Sequence, residues 1–76
     1  MKTTYFLFGK EASNSFMDEG LDSFIHSLEE GEFEFELYEA NSDTNPADLL
    51  YSFQKWGDYC ILSYDEFSRV RQVVEV

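Results

Sequence analysis

The segment Gly31–Ala40, GEFEFELYEA, constrains this chain more than any other. Glu32, Glu34 and Glu36 alternate with Phe33, Phe35 and Leu37. A period of two is the signature of a strand with one face in a core and one in water. A strand covered by helices on both faces would not hold three glutamates on one side, so residues 32–39 are expected at a sheet edge. Glu39 has the parity of the phenylalanines, and the strand is expected to leave the core there.

Two other segments share the strand composition but not the wet face. Thr3–Phe8 is β-branched and aromatic, and Gly9 ends it. Tyr59–Leu62 is short and apolar on both faces. Between the strands the period changes to that of a helix. Ser15 and Asp18 resemble a capping box, and Met17, Leu21, Phe24, Ile25 and Leu28 form one stripe closed by Gly31. Phe16 falls off this stripe and is expected to be partly exposed or to pack on the loop. Lys10–Asn14 reads as a polar loop before that helix.

Asn41–Asn45 is turn chemistry, and Asn45-Pro46 opens a second helix with the stripe Leu49, Leu50, Phe53 and Trp56, stopped by Gly57. At the last junction Ser63 and Glu66 form a capping box, with Leu62 and Phe67 placed as a hydrophobic staple. Phe67, Val70 and Val74 then continue a third helix. A strand is the competing reading there, because Val70, Val73 and Val74 are β-formers.

The order is βαβαβα. It predicts a single small α/β domain over residues 1–76, in two or three layers, with a three-stranded, mainly parallel sheet. The half-wet second strand and the fully apolar first and third favour the order 2-1-3, with strand 32–39 at the edge. The 76 residues leave room for one core, and an aromatic share of 18% supplies large rings to fill it.

The net charge of -11 bounds the partners. Residues 11–54 contain no Lys or Arg. Such a field repels nucleic acid and anionic membrane and would steer a basic protein partner. It also keeps a small chain monomeric and in solution, which is the plainer reading. The apolar run after Met1-Lys2 is too short for a signal peptide, and no stretch approaches a membrane span. Cys60 is the lone cysteine, in an apolar run, and reads as a buried inert thiol in a cytoplasmic protein.

No catalytic residue, cofactor-binding motif or metal-binding motif emerges. One Cys and one His are too few for zinc, and His26 is expected in solvent. There is no nucleophile elbow and no phosphate loop. Asn41, Asp43 and Asn45 alternate like calcium ligands, but Pro46 and Ser52 stand where an EF-hand needs Gly and Glu.

Two surfaces remain. In a parallel sheet of order 2-1-3, a crevice would open beyond the first and third strands. Gly9, Lys10, Ser13 and Asn14 would border it on one side and Ser63, Tyr64 and Asp65 on the other, with two helix N-termini suited to an anion. The second surface is the acidic edge of Glu32, Glu34, Glu36 and Tyr38, where a partner strand could add or where like charges oppose self-pairing. Tyr51 is a second exposed aromatic anchor in this reading.

The composition favours a small acidic, non-enzymatic interaction or regulatory module, within which mimicry of nucleic acid is a minority reading. The alternative is a small-ligand or anion-binding domain using the crevice. An enzyme stands third.

Overall fold

A computed structural model describes residues 2–74. The elements run β1 (Thr4–Phe8), α1 (Lys10–Glu19), α2 (Leu21–Glu29), β2 (Glu36–Ala40), α3 (Pro46–Trp56), β3 (Tyr59–Leu62) and α4 (Tyr64–Val74). The sheet order is β2-β1-β3, with β1 in the centre and β2 at an edge. Both pairings are antiparallel. The expectation of a mainly parallel sheet is therefore overturned, and the chain is a small α+β fold.

The cause lies in the first connection. The chain forms two helices where one was expected. The segment Lys10–Asn14 is not a loop but the start of α1, which follows Gly9 directly, and Ser15 caps nothing. The helix then breaks at Gly20, whose φ of 88° and ψ of 176° are extended on the side open to glycine. A single helix between two strands returns the chain to the starting end and yields a parallel neighbour. Two successive helices of ten and nine residues, each spanning about 15 Å, return it to the end it left. Glu36 consequently lies opposite Phe8, the last residue of β1. The second connection holds only α3, so β3 again begins beside Phe8, with Tyr59 opposite it.

Helices cover both faces. On one, Leu7, Cys60 and Leu62 of the sheet meet Ala12, Phe24, Phe67 and Val70 from α1, α2 and α4 in one core cluster. Phe33, Phe35 and Leu37 pack against it as their parity requires, although only Leu37 belongs to β2. Phe16 joins as well, with its ring 5.7 Å from Phe24 and perpendicular to it, whereas Met17 of the expected stripe is exposed. On the other face α3 lies alone. Its Phe53 contacts the rings of Phe6, Phe8 and Tyr59.

The termini of the later elements follow the sequence closely. Asn45 Oδ1 accepts from Ala47 N–H at 3.0 Å, Pro46 opens α3, and Gly57 closes it in the left-handed conformation. Ser63 and Glu66 form the capping box reciprocally, at 2.8 and 3.2 Å. Leu62 and Phe67 are both buried in the core cluster, as a staple requires.

Candidate functional site

The acidic ladder divides into two parts. Glu32 and Glu34 precede β2 and are exposed. They border a shallow hollow of about 400 Å³ with Lys10, Glu11 and Trp56. Glu36 is different. Its Oε2 accepts from Trp56 Nε1 at 2.9 Å and from Ser52 Oγ at 3.3 Å. The helix α3 lies over this side of β2, so the face read as wet is partly covered. Tyr38 is likewise half-buried, with its ring perpendicular to that of Phe8 at 6.4 Å. Of the expected interaction edge, Glu36 and Tyr38 are thus engaged inside the fold, and Glu32 and Glu34 face solvent. Glu39 stays within the strand, opposite Tyr5, with its side chain exposed.

The expected anion crevice is not assembled. With β1 and β3 antiparallel, Gly9 sits beside Asp58 and donates its N–H to the Asp58 carbonyl at 3.0 Å. Leu62 lies opposite Tyr5, so Ser63, Tyr64 and Asp65 leave the other end of the sheet. Lys10 and Asn14 are exposed on α1. Ser13 is fully buried and donates its hydroxyl to the Leu7 carbonyl at 3.2 Å. Tyr64 packs its ring 5.7 Å from Tyr5. No strand order reverses here in the sense a parallel sheet provides, and the two halves of the proposed crevice stay apart.

Cys60, His26 and the Asn41–Asn45 loop each have a local setting. Burial raises the Cys60 thiol above its ordinary value; the Ser13 hydroxyl opposes this, and the Glu66 and Asp58 carboxylates add to it. A thiol held protonated this way is a poor nucleophile. His26 is exposed, 3.2 Å from Glu30. In the Asn41–Asn45 loop, Asn41 Oδ1 accepts from Asp43 N–H at 2.9 Å, a turn held by its own side chain. Among the described residues no group of His, Cys, Asp and Glu is arranged to hold a metal ion. No helix there is long and apolar enough to cross a membrane.

A different surface stands out. The strand β3 reads as apolar on both faces, and the sequence alone implied that both were covered. Only one is fully covered: Cys60 and Leu62 are buried, while Tyr59 and Ile61 are 41% and 60% exposed. The single helix on that side, α3, reaches β2 through the Glu36 contacts and β3 through Phe53, whose ring lies 4.8 Å from that of Tyr59. It leaves Ile61 and part of the Tyr59 ring uncovered, and Leu50 on α3 is 57% exposed. Tyr59 and Ile61 were missed because the composition of a strand does not say how many helices share its face, and Leu50, read as part of the apolar stripe of α3, is exposed instead. The sheet order held a signal, since in the order 2-1-3 the third strand is also an edge. Tyr51, by contrast, is exposed as expected.

On the opposite face a groove of about 420 Å³ runs between β2 and α4, lined by Phe35, Leu37, Glu39, Phe67, Arg71 and Val74. Comparison with known protein families, with curated proteins and with solved structures finds no match to this chain.

Proposed function

We propose that this chain is a small protein-binding module, not a catalyst, and that its acidity selects basic partners. The observation that supports this reading best is the exposure of Tyr59 and Ile61 on one face of the edge strand β3, on a chain of net charge -11. Apolar side chains grouped at a sheet edge favour docking, because covering them removes apolar area from water. The acidic field supplies long-range attraction to positive surfaces and repels a second copy. A reducing compartment such as the cytoplasm fits the lone buried thiol of Cys60.

The test is affinity capture from the native lysate on the immobilised chain at low and high salt. Basic proteins are retained at low salt and released as ionic strength rises, because surface charge is screened within about 8 Å at physiological salt. Failure to retain any protein, or retention indifferent to salt, removes this reading.

A further inference from the structure

We infer that β3 is the docking strand, and that it takes an extended segment of a basic partner as a fourth strand, with an apolar centre and cationic ends. This inference rests on the module reading above and assigns it a site.

The backbone pattern comes first. The bond from Gly9 N–H to the Asp58 carbonyl fixes the phase of the β1–β3 ladder. Hydrogen-bonded pairs alternate in an antiparallel ladder, so Leu7–Cys60 and Tyr5–Leu62 are bonded pairs. The N–H and C=O groups of Tyr59 and Ile61 therefore point away from β1, toward the open edge. Asp58 Oδ1 accepts from Tyr59 N–H at 2.8 Å. No turn, loop or cap among the described residues reaches Ile61. Both backbone groups of Ile61, and the Tyr59 carbonyl, are presented to an incoming strand.

The edge also lacks the usual protection. Natural edge strands carry charges, proline or bulges that discourage pairing. The sequence Tyr-Cys-Ile-Leu carries none of these. The other edge, β2, carries Glu36 and Glu39 and follows Glu32 and Glu34. Discouragement of pairing is thus built into one edge of the sheet only.

Charge then selects the occupant. Asp58 precedes β3 at one end, and Asp65 and Glu66 follow it at the other, with no Lys or Arg between Lys55 and Arg69. A second copy paired antiparallel through β3 would bring Asp58 of each chain toward Asp65 of the other, which repels. A partner segment with Lys or Arg at both ends meets acids at both ends. Its central side chains on that face would cover Tyr59 and Ile61. Main-chain bonds supply the attachment, and side chains with terminal charges supply the selection.

The probe is a synthetic peptide, Lys-Thr-Ile-Thr-Ile-Thr-Lys, titrated into isotope-labelled protein while amide shifts are followed. Shifts at residues 58–63, with slowed exchange of the Ile61 amide, are expected. A peptide with Glu at both ends should bind about tenfold more weakly or worse. A peptide methylated on the amides of one edge should not bind. The variant Ile61→Pro should lose binding while keeping the fold, because the removed N–H belongs to no internal ladder bond and proline is tolerated on such edges. The methylated peptide tests the same bond in the unaltered protein, should that variant not fold. Shifts at residues 32–40 instead, no shifts at millimolar peptide, or dimerisation through β3 would each overturn the assignment. If lysate capture still succeeds with Ile61→Pro, the docking strand is wrong and the module reading stands. If capture fails with the unaltered chain, the reading itself falls.

Discussion

Replacing Glu36 by Ala separates the two parts of the acidic ladder. Its carboxylate accepts the Trp56 indole at 2.9 Å and the Ser52 hydroxyl at 3.3 Å. Hydrogen bonds to a charged group contribute about 1.5–3 kcal/mol each, and the longer contact to Ser52 is near the outer limit of good geometry. Ser52 is buried, so its hydroxyl loses an acceptor that water does not readily replace, whereas the half-buried indole can turn partly to solvent. The net loss should be about 2–3 kcal/mol. For a chain this short the total stability is of the order of 4–11 kcal/mol, so the change is large. With a urea slope near 1 kcal/mol per molar for so small a domain, the unfolding midpoint drops by about 2–3 M. Trp56 is the lone tryptophan, so its fluorescence follows both the unfolding and the local change around the indole. Glu36→Gln should cost about half as much, since a neutral acceptor makes a weaker bond to the indole. Glu34→Ala, on the exposed part of the ladder, should lie within about 0.5 kcal/mol of the parent chain. A coupling of about 1 kcal/mol or more between Glu36→Ala and Trp56→Phe, followed by circular dichroism, would tie the loss to this contact. If Glu36→Ala and Glu34→Ala cost the same, the contact with α3 contributes nothing, and the ladder is uniformly a solvent face.

Two further outcomes test the packing around the sheet. A Cβ on Gly9 would lie 2.8 Å from the Glu34 carbonyl oxygen, at a φ of +140°, so Gly9→Ala should cost about 3 kcal/mol or more. Gly31→Ala, at a φ of +72° with open space around it, should cost only about 1–2 kcal/mol, and the opposite ranking in urea unfolding would refute the close approach of β1 and the 34–35 backbone. The Cys60 thiol has a folded-state value above its unfolded one, mainly through burial, so its contribution is complete below the unfolded value and is lost as pH rises through the folded value. Unfolding free energy should therefore decline on the alkaline side of the ordinary thiol range, and Cys60→Ala should lose that part of the decline; an identical alkaline profile in the two chains would show that the thiol is not shielded.

What the sequence disclosed, and what it concealed, follow from the range of the forces involved. The caps at Asn45 and Ser63 and the stop at Gly57 rest on bonds spanning two to four residues, and each was legible from its own few residues. The parity of Phe33, Phe35 and Leu37 was legible for the same reason. The direction of the sheet depended on whether Gly20 merely weakens one helix or divides two. Its intrinsic cost, about 1 kcal/mol, fits both outcomes, so packing of Phe16 on Phe24 could decide between them. That one local ambiguity reversed the pairing of both neighbours of β1 and dissolved the crevice, because Ser63 followed β3 to the far end. The burial of Glu36 was hidden for a related reason. Its two donors stand 16 and 20 residues away on α3, and no pattern within the strand encodes them. The same contact bears on what the molecule exposes. Glu36 ties α3 to β2 while Phe53 of the same helix rests on Tyr59, so one helix spans the sheet and Ile61 at the β3 edge stays 60% exposed. One glutamate of the opening ladder thus belongs to the packing of α3 on the sheet, while Glu32 and Glu34 stay exposed and only add charge to the surface.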